Sequence, residues 1–128
     1  MILIIAVTIL GIALAAVGVL WSATARHQRL IELQWVGAQY RDAIGDYYES
    51  SPGSLKVYPK GLDELLLDRR YLTIKRHIRA LYPNPLTGEL DWQPVRAPDG
   101  GIRGVEASSE LQAGPLRFVY DPPIAGSR

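Results

Sequence analysis

Few side chains in this sequence have types and spacings that could do chemistry. The two histidines stand apart, His27 just past an apolar run and His77 inside a basic segment, so no imidazole pair is suggested. The absence of cysteine excludes a thiolate nucleophile, a thiolate metal site and any disulfide. No serine stands in a nucleophile-type motif, and no glycine-rich phosphate-binding loop is present. The chain therefore reads as a non-enzyme. Its one concentration of charge lies at 69–79, where Arg69, Arg70, Lys75, Arg76 and Arg79 accompany His77. Such a patch can contact a phosphate backbone, but aromatic residues for base stacking are sparse there. A net charge of +1 adds no long-range attraction. The segment is expected to be a solvated surface paired with Asp42, Asp46, Asp63 and Glu64, and no nucleic acid is expected as a partner.

The elements that carry these residues start with an apolar run at 2–21, interrupted only by Thr8 and closed by Trp21. About 20 apolar residues suffice for a helix to cross a bilayer core of roughly 30 Å. The run lacks the basic start, short apolar core and small-residue cleavage site of a secretory signal, so an uncleaved anchor is expected. Within it Thr8, Gly11, Ala15, Gly18 and Ser22 recur at spacings of three and four, a small-residue stripe along which another helix could pack closely. Arg26 and Arg29 follow the run, and by the positive-inside rule alone they would leave the C-terminal part in the cytoplasm.

No proline occurs before Pro52, and Leu30, Leu33, Val36, Tyr40, Ala43, Ile44 and Tyr47 recur on one helical face. The helix is therefore expected to continue to Glu49, roughly 70 Å in all. Leu33, Val36, Tyr40, Ile44 and Tyr47 are its expected contacts with the rest of the domain. Gly37 and Gly45 each weaken it by up to about 1 kcal/mol relative to alanine. Ile31 and Trp35 sit on the opposite face among Gln28, Asp42 and Asp46, either as isolated exposed apolar residues or as a subunit contact.

Pro52 and Gly53 stop the helix. A short amphipathic helix is expected at 62–68, with Leu62, Leu65 and Leu66 inward. A rigid turn follows at 82–88, then short strands at 90–92, 102–107 and 116–120, with Pro94 marking an end or an edge. The expected fold is α+β, a long N-terminal membrane-spanning helix packed by its C-terminal half on a small antiparallel sheet. Residues 1–22 form the transmembrane half. Residues 23–128 form the globular domain, comprising helix 23–49, a loop and short helix at 50–81, the sheet at 89–120 and a frayed tail at 121–128.

Ile9-Leu10-Gly11-Ile12-Ala13-Leu14-Ala15-Ala16 is similar to the membrane half of the type IV pilin signature. Then come Tyr40-Arg41-Asp42-Ala43-Ile44, Tyr58-Pro59, Leu62-Asp63-Glu64-Leu65-Leu66 and Asp68-Arg69-Arg70-Tyr71-Leu72. Asn84-Pro85-Leu86-Thr87-Gly88, Asp91-Trp92 and Ala97-Pro98-Asp99-Gly100-Gly101-Ile102 complete the series. In this order they resemble pseudopilins related to the type II secretion protein G. The resemblance implies a pilin-like fold and a structural role in a pseudopilus, a filament that assists export of folded proteins. Its implied partners are other pseudopilins and the inner-membrane secretion platform, its implied location is the bacterial inner membrane with the domain in the periplasm, and methylation is the associated modification. Two departures stand out. The prepilin cleavage motif is not present, so the natural start lies upstream or the subunit is unprocessed; a restored basic leader would send the domain outward. Ile2 stands where the family carries a membrane glutamate, which fits a minor or initiating subunit better than a major one. The final loop at 108–114 is short for the group. The resemblance also raises a calcium site, for which Asp91, Asp99, Glu106 and Asp121 could supply oxygen ligands; lacking a compact acidic spacing, they are expected to be surface charge. The alternatives are a membrane-tethered binding module that does not polymerise, and a type IV pilus minor subunit active in adhesion or DNA uptake.

Overall fold

The computed structural model describes residues 1–108 and 113–123. Part of the expected final loop, 109–112, and the end of the expected frayed tail, 124–128, lie outside the described residues. The chain is α+β: one helix of 48 residues, α1 (Ile2–Glu49), packs on a three-stranded antiparallel sheet. The strands are β1 (Gln93–Arg96), β2 (Ile102–Ala107) and β3 (Leu116–Val119), in the order β1-β2-β3.

Helix α1 runs unbroken because nothing in it lacks an amide donor, and the hydroxyls of Thr8 and Thr24 bond back to the carbonyls of Ile4 and Leu20 instead of competing with the ladder. It ends where Ser50 N–H donates to the Asp46 carbonyl and the chain turns through Pro52 and Gly53, whose φ of 90° suits glycine. Its buried residues all lie in the second half: Leu33, Val36, Gly37, Tyr40, Ala43, Ile44, Gly45 and Tyr47. Apart from the two glycines they form one core with Leu65, Ile78, Trp92, Ile102, Val105 and Ala107.

The two buried glycines are sites of close approach. A Cβ on Gly37 would lie 2.3 Å from the Phe118 ring, and one on Gly45 would lie 2.7 Å from the Tyr120 ring. The helix tolerates the lower propensity of glycine because aromatic rings from β3 and the residue after it fill those gaps. Replacing Gly37 with alanine is expected to destabilise the domain by about 1–3 kcal/mol, since overpacking outweighs the gain of about 1 kcal/mol in helix propensity. Thermal unfolding followed by near-ultraviolet circular dichroism checks this, and adding Phe118→Leu should recover part of the loss.

Two expected elements differ. The helix at 62–68 is a single 3₁₀ turn, Leu62–Leu65. Beyond it the backbone bonds to a distant segment: Asp68 N–H donates to the Lys75 carbonyl at 2.9 Å, and the Leu65 carbonyl accepts from His77 N–H at 2.8 Å. The first strand begins at Gln93 instead of at 90, because Trp92 turns inward, 6% exposed, and donates its indole N–H to the Tyr82 carbonyl at 3.0 Å. Pro94 lies within edge strand β1, where a missing donor is tolerated. Between Val95↔Gly104 and Arg96↔Ile102 the register shifts, leaving Arg103 as the extra residue of a bulge.

Candidate membrane and assembly surface

The first half of α1 touches nothing else in the molecule. From Ile2 to Trp21 its large apolar side chains are 52–87% exposed, and α1 is the only helix among the described residues long and apolar enough to cross a membrane. So much contiguous apolar surface on a chain otherwise able to bury a core marks a lipid or protein interface. Thr8, Gly11, Ala15, Gly18 and Ser22 are all exposed on this stem. A Cβ added at Gly11 or Gly18 would meet nothing within 4 Å, so the stripe is open to a second helix. An arginine replacing Leu14 should make bilayer insertion less favourable by about 3–4 kcal/mol, whereas Gln28→Arg, beyond the apolar run, should leave it unchanged. An insertion reporter fused to the chain measures both.

Further along, Ile31 is 48% and Trp35 52% exposed. Trp35 does not stand alone: its ring meets Tyr82 edge-on at 5.5 Å between centroids. The loop at 82 thus extends the apolar surface around Trp35 beyond the helix. Leu33, Val36, Tyr40, Ile44 and Tyr47 face the other way and are at most 5% exposed.

The basic segment is split by the fold. Arg70 and His77 turn inward onto Asp68, a residue absent from the carboxylates expected to pair with this segment. Arg70 meets Asp68 with two prongs, Nε to Oδ1 at 2.9 Å and Nη2 to Oδ2 at 2.7 Å. His77 Nε2 lies 2.9 Å from the same Oδ2, and the Asp68 side chain is fully buried. The guanidinium also donates to the Tyr47 carbonyl and to Ser51 Oγ, each at 2.9 Å, and covers the Tyr47 ring at 3.6 Å. Hydrogen bonding from Arg70, with a further contribution from His77, holds the Asp68 carboxyl well below the usual carboxylate range despite its burial. Burial, followed by the hydrogen bond to Glu64, pushes the Tyr47 hydroxyl up to about 12. This cluster locks the end of α1 to the loop that follows it.

The partners expected from sequence are occupied elsewhere or distant. Asp42 pairs with its neighbour Arg41 at 3.1 Å, and Glu64 Oε2 accepts from the Tyr47 hydroxyl and from Lys60 N–H. Among the described residues, neither Asp46 nor Asp63 forms an ion pair with the basic segment. Arg69, Arg76 and Arg79 remain exposed, and Lys75 sits 4.4 Å over the Tyr71 ring. The signal for the lock was present in the sequence as Asp68-Arg69-Arg70, since an aspartate can accept the amide two residues on; here Arg70 N–H donates to Asp68 Oδ1 at 3.1 Å.

The four carboxylates considered for calcium are not assembled. Glu106 pairs with Arg117 at 2.6 Å, Asp99 Oδ1 accepts Gly101 N–H at 2.9 Å, and no group of three or more His, Cys, Asp or Glu gathers as a metal site among the described residues. Comparison with protein families, with curated proteins and with solved structures yields no match. The arrangement of a long N-terminal apolar helix on a small antiparallel sheet is compatible with a pilin-like fold.

Proposed function

We propose that this chain is a structural subunit, minor or initiating, of a type II secretion pseudopilus. The observation that carries the reading is the division of α1: its first half is bare and apolar, while its second half holds the core of a small sheet domain. Such a helix can lie in a bilayer before assembly and pack against equivalent helices afterwards, through the stripe from Thr8 to Ser22 and the surface around Ile31 and Trp35. In this reading the stem spans the bacterial inner membrane, the domain lies in the periplasm, and the partners are other pseudopilins and the secretion platform. No carboxylate stands between Met1 and Glu32. On the resemblance, Ile2 stands where a repeating major pilin carries its membrane glutamate, which supports a minor place.

The test is cross-linking. The chain has no cysteine, so cysteines introduced at Gly11 and Ala15 are the only ones present. A ladder of multimers is expected in membranes when the other secretion genes are expressed, and is lost without them. A single band under both conditions refutes the filament and leaves the membrane-tethered binding module. A DNA-uptake role is disfavoured by the inward pairing of Arg70 and His77. Charge reversal at Arg69, Arg76 and Arg79, which spares the Asp68 lock, is expected to leave DNA retention unchanged.

A further inference from the structure

Between the segment after α1 and the β1–β2 turn lies a cleft of about 290 Å³, lined by Val57, Tyr58, Lys60, Arg96 and the turn at 99–101. Its walls are firmly held. Tyr58 stacks on Tyr48 with centroids 4.5 Å apart, Ile102 N–H donates to the Pro59 carbonyl at 2.7 Å, and a Cβ on Gly101 would lie 2.6 Å from Tyr58 Cβ. Gly100, with φ of 87°, would present an added Cβ to open space.

Two cations line this cleft. Arg96 Nη1 donates to the carbonyls of Gly100 at 3.1 Å and Lys60 at 3.4 Å, which positions the guanidinium without neutralising it. Among the described residues, neither Arg96 nor Lys60 has a carboxylate within ion-pair distance. Asp99, the acidic member of the lining, uses one oxygen on Gly101 N–H, and the lining remains net positive.

We propose that this cleft binds a carboxylate presented by a protein segment. Arg96 takes the acid in a two-pronged contact, Lys60 adds a point charge, and Val57 and Tyr58 support apolar atoms beside it. A lipid headgroup is the wrong source. Tyr58 packs at the far end of α1, about 40 Å along the helix from Trp21 at ~1.5 Å per residue, several times the Debye length of about 8 Å. A small inorganic anion would leave the apolar wall unused. The site does not depend on polymerisation, so its test is separate from cross-linking.

The test uses the isotope-labelled full chain in lipid nanodiscs and a blocked tetrapeptide of alternating glutamate and leucine. Its glutamine counterpart and inorganic phosphate serve as comparisons. The glutamate peptide is expected to move the amide resonances of Gly100 and Gly101, and the glutamine peptide to leave them in place. Affinity is expected to fall at least tenfold in Arg96→Gln and in Lys60→Gln, and to be unchanged in Arg76→Glu. Lys60→Gln keeps the test decisive if Arg96→Gln disturbs the fold, because the Lys60 ammonium makes no ion pair among the described residues. Three results overturn the proposal: equal binding of the glutamine peptide, displacement by phosphate at the peptide's own concentration, or loss of binding in Arg76→Glu with retention in Arg96→Gln.

Discussion

Replacing Asp68 with alanine is expected to destabilise the sheet domain by about 3–5 kcal/mol, the usual penalty for removing one partner of a buried ion pair. The lower part of that range is the better expectation, because the Arg70 side chain retains 20% exposure and water can partly solvate the stranded cation. Against a total stability of about 5–15 kcal/mol for a domain, that is a large share. The consequence is local first: without Asp68, Arg70 loses the anchor that aims it at Tyr47 and Ser51, and His77 loses its partner. Trp92 reports the outcome by fluorescence, being 6% exposed while Trp21 and Trp35 are 75% and 52% exposed. The bare apolar stem is expected to stay helical in detergent, so far-ultraviolet circular dichroism is a poor reporter of this unfolding.

The same residue sets an acid limit. Since the folded Asp68 carboxyl titrates below its unfolded value of about 3.9, the unfolded chain takes up a proton first as pH falls. Its contribution is fully present above pH of about 4 and is lost as pH falls from there through the folded value. In Asp68→Asn that limb disappears, so the stability difference between the native chain and this variant should shrink on acidification. Urea titrations at several pH values between neutral and strongly acid measure the convergence. A constant gap across that range would show that folding leaves the Asp68 titration unshifted, and a gap that widens on acidification would show that the folded domain favours the neutral carboxyl.

Tyr40→Ala is expected to cost about 3–5 kcal/mol, the range for emptying a large aromatic site in a core. Tyr40 is 0% exposed, tilts against the Trp92 ring at 5.3 Å and donates its hydroxyl to the Tyr82 carbonyl at 2.8 Å. Trp92 donates to that same carbonyl, so one backbone oxygen joins α1, the loop at 82 and the approach to β1. Burial pushes the Tyr40 hydroxyl up to about 12, which keeps it a donor at neutral pH. Tyr40→Phe removes the hydrogen bond alone; Trp92 still satisfies the carbonyl, and the loss should be only about 0.5–1.5 kcal/mol. Chemical denaturation of the two variants separates packing from hydrogen bonding.

These effects reach the exposed Trp35 surface because Trp35 leans on Tyr82, whose carbonyl Tyr40 and Trp92 hold in place. Loosening that carbonyl would free the Trp35 surface to change shape.

What the sequence determined by itself is what local periodicity controls. An unbroken absence of proline and a 3.6-residue apolar period are enough to define one helix to Glu49, because every hydrogen bond in it closes over four residues. The bare stem, the buried face from Leu33 to Tyr47, the α+β class and strand β2 follow from the same kind of short-range pattern. Tertiary structure decided what depends on residues distant in the chain. It turned Trp92 inward and moved the first strand to Gln93, and it bonded the backbone after Leu65 to 75–78 instead of extending a helix. It made Gly37 and Gly45 seats for Phe118 and Tyr120. It drew Arg70 and His77 out of a basic run onto one buried carboxylate. Charge and glycine have no periodicity that reveals their partner; only the packing that brings Asp68 to His77, or β3 to α1, settles which neighbour each one meets.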